Sequence, residues 1–238
     1  MLQRIDLRGR RNIPDGFLLR TPGEDNEVED QVRQIVAEIR QRGDSALYEL
    51  TERFDGPRLD GLVLTNSEIE EAFASLAVDL REALFAAEGS VRRFHDGKRR
   101  SDGELTNQGL RIRTLVKPVS SVGCYIPGGR ASYPSTVLMT AVVARVAGVE
   151  RITVCVPPNP NGTVSAVTLA ATKVANVDVV HPVGGAQAIA AMAYGTESIQ
   201  KVEVIVGPGN KYVSVAKRQV AGEVRVPSGF AGPSEVVV

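Results

Sequence analysis

The 238-residue sequence predicts an α/β fold in which a parallel sheet follows a mainly helical segment. After residue 121, short runs rich in Val and Ile alternate with helical stretches, an order typical of right-handed βαβ crossovers. Before residue 100, apolar residues recur at the spacing of amphipathic helices. Hydrophobic residues make up 43% of the chain and charged residues 24%, the ordinary composition of a globular protein.

The part of the chain before residue 100 predicts four helices. Apolar residues share one face of the first, over residues 26–42, and Gly43 follows as a stop signal. Residues 65–67 offer an N-cap to the third helix, with Glu70 and Glu71 in its first turn. The second helix is predicted from residue 44, and the fourth over about 78–95.

A separate pattern follows these helices. Leu110 and Ile112 alternate with Arg111 and Arg113, just after a turn signal at Gln108 and Gly109. We therefore expect an exposed hairpin or an edge strand within residues 105–119.

From residue 121 onward the pattern predicts a Rossmann-like parallel sheet covered by helices on both faces. The predicted strands cover residues 122–126, 152–156, 177–181 and 202–206, with a fifth at 224–226. The predicted helices cover about 134–147, 164–173, 186–194 and 211–220.

The patterns together predict four segments. These are an N-terminal arm (1–24), the helical part of an incomplete second α/β domain (25–120), the sheet domain (121–233) and the start of a strand returning to the first domain (234–238). The apolar faces of the early helices need a sheet to cover them. The last residues, 236–238, are all Val, whereas a natural terminus is usually solvated. We therefore expect this chain to be part of a longer protein.

Gly-rich turns follow three of the predicted strands, and parallel α/β sheets bind ligands at the carboxyl ends of their strands. Glycines at these turns would let a ligand approach the backbone closely. Three polar side chains stand at these turns: Tyr125, Gln187 and Asn210. They could bind a dinucleotide, or they could satisfy the backbone of neighbouring loops. Residues 207–209 lack the third glycine of a G-x-G-x-x-G fingerprint, so a dinucleotide would have to be held differently.

Other chemistries have weaker support. The histidines, His95 and His181, are far apart and form no metal-binding spacing. His181 could act as an acid or base, or could be a loop residue before Pro182. The cysteines, at positions 124 and 155, lie in apolar runs and predict two buried thiols of a cytoplasmic protein.

Charge and hydropathy exclude two classes of partner. The formal net charge is zero, which argues against binding a nucleic acid. The basic cluster near residue 98 suits the C-terminal end of a helix. The apolar runs are short, so we expect no membrane span; the N-terminal residues contain no apolar signal region either.

Several blocks of the sequence resemble histidinol dehydrogenases. They are VGCYIPGG at 122–129, YPSTVLM at 133–139, VGGAQAIAAMAYGT at 183–196, VGPGNKYV at 206–213 and AGPSEV at 231–236. The resemblance implies NAD-dependent oxidation of L-histidinol to L-histidine, the final steps of histidine biosynthesis, by a zinc-requiring homodimer. It implies that Tyr125, Gln187 and Asn210 contact NAD, and that Ser234 contacts the substrate.

The resemblance also implies what this chain does not contain. The family's zinc ligands, in an S-Q-x-x-H segment and at a later Asp and His, follow the block that ends at residue 236. The Glu-His acid/base pair follows it too. We therefore expect no catalytic residue and no metal ligand in this chain, and no histidinol turnover by it alone. Two alternatives remain: a truncated, non-catalytic NAD-binding or interaction protein, and an oxidoreductase of the same fold acting on another alcohol or aldehyde.

Overall fold

The computed structural model describes residues 26–128 and 131–227, together with residue 8. Four helices come first, and strands and helices alternate only after residue 121. The helices are α1 (Asn26–Arg42), α2 (Asp44–Asp55), α3 (Asn66–Ser75), α4 (Val78–Asp96), α5 (Pro134–Val137), α6 (Val143–Val146), α7 (Ala166–Val174), α8 (Gly185–Tyr194) and α9 (Lys211–Gln219). A π-helical turn, Leu138–Val142, joins α5 to α6. The strands are β1 (Gly103–Asn107), β2 (Leu110–Thr114), β3 (Ser121–Tyr125), β4 (Arg151–Cys155), β5 (Val179–His181) and β6 (Val204–Val206). The predicted α/β class is confirmed.

The four early helices begin and end close to their predicted positions. Thr65 is the N-cap of α3: its hydroxyl accepts a hydrogen bond from the Glu68 amide, and the Glu68 carboxylate accepts one from the Thr65 amide at 2.7 Å. The acidic residue of the first turn is therefore Glu68, rather than the predicted Glu70 and Glu71. The reciprocal bonds of a capping box decide this position, because they require a carboxylate three residues after the cap.

Strands β3 to β6 form one parallel sheet in the order β5-β4-β3-β6. The predicted fifth strand at 224–226 is wrong, because this segment makes only one isolated bridge, between Val204 and Arg225. The hairpin is confirmed: β1 and β2 pair antiparallel across Gln108 and Gly109, and every residue of both strands is exposed.

Two hydrophobic cores cover the two faces of the sheet. Consecutive residues of a strand point to opposite faces, so Cys124 lies in the core under α5, α6 and α7, whereas Tyr125 lies in the core under α8 and α9. Gly123 faces the same side as Tyr125, and a Cβ there would overlap the Met192 sulfur. The missing side chain lets α8 pack directly against the sheet.

The early helices pack on the helices that cover the sheet. α1 lies against α8 and α9, and Arg218 of α9 contacts Glu29 of α1 at 2.7 Å. On the other face, α3 lies against α7, and Lys173 pairs with Glu70. The helices before residue 100 thus form outer layers on both sides of the sheet. Their assignment to a separate, incomplete domain stays a prediction. The expected N-terminal arm, apart from Arg8, and the returning strand lie outside the described residues.

Among the helices of the described residues, none combines the length and the hydropathy that crossing a bilayer requires.

Candidate functional site

A cleft of about 640 Å³ opens at the carboxyl ends of the parallel strands. Gln34 and Glu38 of α1, with Arg53 and Asp55 of α2, line one wall. The opposite wall consists of the turns after β3, β4, β5 and β6. The volume of the cleft lies within the roughly 300–1,000 Å³ that small-molecule sites usually have.

Tyr125, Gln187 and Asn210 all line this cleft. The sequence placed them at the ends of three different strands, and the sheet order brings the three strand ends together. Their predicted role in binding NAD stays a prediction. Ser234, the predicted substrate contact, lies outside the described residues.

Tyr125 is buried, and its hydroxyl oxygen accepts a hydrogen bond from the Gly185 amide at 3.1 Å. Burial raises the pKa of this phenol to about 12, so the hydroxyl keeps its proton at neutral pH. The hydroxyl can therefore donate one hydrogen bond while it accepts another.

Gln187 lies in the first turn of α8 and is 1% exposed. Its amide nitrogen donates to a carboxylate oxygen of Asp55 at 3.4 Å, a long contact across the cleft wall. Asp55 is the last residue of α2, and burial raises its pKa to about 6. Nothing in the sequence around Asp55 indicates this contact, because it depends on how α2 packs against α8.

Asn210 is the N-cap of α9, and its side-chain oxygen accepts a hydrogen bond from the Val213 amide at 3.1 Å. The side chain therefore fulfils a structural role, one of the two roles that the sequence left open. Its exposed NH₂ group keeps two donors beside the cleft.

The glycines of the turns serve loop packing. The Pro157 ring lies between two of them: a Cβ at Gly184 would come within 2.6 Å of it, and one at Gly128 within 3.1 Å. Gly207 has φ +104°, and a Cβ there would overlap the Tyr125 carbonyl. The sequence interpretation, that these glycines let a ligand approach the backbone, missed this packing because Pro157 and Tyr125 are distant in sequence.

A buried lysine beside the Gly207 turn was also missed. Lys217 of α9 is 3% exposed, and its ammonium donates to the Gly207 carbonyl. Burial lowers the pKa of this lysine. The amine anchors the turn that leads to Asn210, at a depth where a lysine is seldom found.

His181 and the two cysteines lie away from the cleft lining. The Nδ1 atom of His181 is 2.6 Å from the Leu62 carbonyl oxygen and donates to it, which ties the segment before α3 to the sheet edge. Burial lowers the pKa of this imidazole, so it is neutral at pH 7. Cys124 and Cys155 are free and buried, as predicted, and burial raises the pKa of both thiols.

The described residues do not fit a zinc ion. Among them, no three side chains of His, Cys, Asp or Glu come together in a group that could hold a metal. They fit a dinucleotide better, because buried polar groups, helix N-termini and apolar prolines meet in one cleft.

Comparisons with known proteins agree with one another. The family model described as histidinol dehydrogenase matches residues 18–238. The histidinol dehydrogenase of Parasynechococcus marenigrum is 48% identical over 89% of this chain and 48% of its own length. That of Geobacillus kaustophilus is 45% identical over 95% of this chain and 54% of its own length. The crystal structure of histidinol dehydrogenase from Elizabethkingia anophelis superposes with a TM-score of 0.84 at 33% identity, covering 90% of this chain and 49% of that one. The chain thus spans about half the length of these relatives.

Proposed function

The chain belongs to the histidinol dehydrogenase family, and we propose that it binds NAD in the cleft between α1, α2 and the carboxyl ends of β3 to β6. One observation carries this proposal: Tyr125, Gln187 and Asn210, which lie at the ends of three separate strands, line the same cleft. The N-terminal ends of α8 and α9 also border it, and the partial positive charge of a helix N-terminus favours the pyrophosphate of a dinucleotide.

Each of the three side chains has a task in this proposal. The phenol of Tyr125 donates its remaining hydrogen, and its bond to Gly185 holds the start of α8 in place. The Gln187 amide offers a hydrogen-bonding group from a buried position. The exposed NH₂ group of Asn210 donates from the N-cap of α9. NAD, when bound, supplies the hydride acceptor of the oxidation.

We propose that the whole protein oxidises L-histidinol to L-histidine, through the aldehyde, as the last steps of histidine biosynthesis. The family match supports this proposal. The proposal includes Ser234 as a substrate contact, a homodimeric assembly and a cytoplasmic location. The zinc requirement comes from the family resemblance alone, and no step of the proposal runs through zinc.

The direct test is calorimetric titration of NAD into the purified 238-residue chain. We expect saturable binding with one site per chain. A flat titration at millimolar NAD would contradict the proposed cofactor site.

A second candidate is a non-catalytic NAD-binding or interaction protein of the same family. The two candidates differ in turnover. NAD binding without NADH formation from L-histidinol by the protein in its natural length supports the second candidate, and NADH formation supports the first.

A further inference from the structure

We infer that Asp55 is a positioning residue of the cofactor site: its carboxylate holds the Gln187 amide with the nitrogen toward α2 and the carbonyl oxygen toward Gly185. The inference rests on the proposed function and deepens it. Neither the motifs of the sequence nor the family resemblance assigned a role to Asp55.

The contact between Asp55 and Gln187 allows only one orientation of the amide. A side-chain amide has two orientations of nearly equal shape, which exchange its donor and its acceptor. An ionised carboxylate only accepts, so it binds the amide nitrogen and rejects the amide oxygen. Asp55 therefore selects the orientation in which Gln187 Nε2 donates to it.

The selected orientation needs room on the opposite side, and Gly185 provides it. The Gln187 oxygen lies beside the Gly185 Cα, so close that a Cβ there would overlap it. Gly185 also has φ +64°, in the left-handed region that favours glycine. The amide thus lies between a carboxylate that fixes its nitrogen and a glycine that admits its oxygen.

A fixed amide has a consequence for binding. The Gln187 oxygen becomes a constant acceptor beside the turn that lines the cleft. The ribose hydroxyls and the base and nicotinamide amino groups of NAD are all donors that such an acceptor can receive. An amide free to reverse would present the wrong group part of the time, and affinity would fall.

The protonation state of Asp55 decides whether its side chain can fix the orientation of the Gln187 amide. Burial raises the pKa of Asp55 to about 6, so the carboxylate is ionised at neutral pH and protonated in mild acid. Among the described residues, the other ionisable groups lining the cleft are Glu38 from α1, Arg53 from α2, Tyr125 from the end of β3 and Tyr212 from α9.

Two effects of the Asp55 charge on NAD binding have opposite signs. If the carboxylate orients Gln187, protonation weakens NAD binding. If it acts chiefly by repelling the phosphates of NAD, protonation strengthens binding. The sign of the pH dependence therefore separates the two.

The experiment measures the Kd of NAD by calorimetry between about pH 5 and pH 8. It compares the wild-type chain with Asp55→Asn, Gln187→Ala and the double variant. The control is Glu52→Gln, which removes an exposed carboxylate of the same helix that does not line the cleft.

We expect Asp55→Asn to weaken binding roughly fivefold at neutral pH, because an Asn side chain can both donate and accept. Wild-type affinity should fall as the pH drops through about 6, whereas the Asn variant should show no such fall. The double variant should bind as Gln187→Ala does, because a residue that acts through Gln187 has no effect without it.

Three results would overturn the inference: tighter binding in acid, additive effects in the double variant, or an Asp55→Asn affinity equal to that of Glu52→Gln. Each of these leaves the proposed function intact if the wild type binds NAD. A wild type that binds no NAD contradicts the proposed function, and the inference fails with it.

Discussion

The hydroxyl oxygen of Tyr125 accepts a hydrogen bond from the backbone amide of Gly185 at 3.1 Å. This bond joins the end of β3 to the first residue of α8, two elements that lie far apart in sequence. It fixes the phenol at the cleft and leaves its hydrogen available to a ligand.

Replacing Tyr125 by Phe removes this bond and keeps the ring. We expect the free energy of unfolding to fall by about 1 kcal/mol, because the part-buried Gly185 amide loses its acceptor. NAD affinity should fall as well, since the donor is lost. Urea denaturation and calorimetry measure the two effects. Tyr133→Phe is the matched control, because Tyr133 does not line the cleft; equal results for both variants would contradict the assigned role.

Replacing Gly207 by Ala should disturb the turn between β6 and α9. Gly207 has φ +104°, and a Cβ would overlap the Tyr125 carbonyl, which is backbone and cannot move aside cheaply. We expect the free energy of unfolding to fall by roughly 2–4 kcal/mol. Gly222→Ala, whose Cβ would meet nothing within 4 Å, should be nearly neutral. A Gly207→Ala variant as stable as Gly222→Ala would show that the turn is not packed as described.

Asp55 should make stability depend on pH in a defined direction. Its pKa is raised from 3.8 to about 6 in the folded state, so between these values the folded chain binds more protons than the unfolded one. Its contribution to stability therefore falls as the pH rises through this window, and the whole loss is present above about pH 6. Full linkage would amount to about 3 kcal/mol, and we expect roughly 1–2 kcal/mol because water in the cleft screens the carboxylate.

Asp55→Asn removes this titration. The free energy of unfolding of the Asn variant, minus that of the wild type, should increase by roughly 1–2 kcal/mol from about pH 4 to about pH 7. Chemical denaturation at several pH values measures this difference, and other titrating groups such as His181 cancel in it. A difference that stays constant with pH would mean that Asp55 has an ordinary pKa.

Much of the fold could be predicted because its signals are local. Val28, Val32 and Ile35 recur at helical spacing, and all three are buried in α1. The segment 224–226 has the apolar residues of a strand but makes one bridge only, because strand formation depends on partners that composition does not reveal.

The candidate site was predictable only in part. Tyr125, Gln187 and Asn210 could be found because parallel strands end at one edge of a sheet. Asp55 and Lys217 could not, because their positions depend on how α2 and α9 pack against the rest of the chain. The contacts of Pro157 with Gly128 and Gly184 also join distant turns, so the sequence alone suggested ligand approach instead.

The measurement that tests the central claim most directly is calorimetric titration of NAD into the wild type and the Gln187→Ala variant at neutral pH. Gln41→Ala is the control, because Gln41 is exposed on α1 and does not line the cleft. Loss of a hydrogen bond in a buried polar site predicts that Gln187→Ala weakens NAD binding by roughly 1–2 kcal/mol, while the control leaves it unchanged. Equal NAD affinities for the wild type and Gln187→Ala would remove Gln187 from the site and contradict the account.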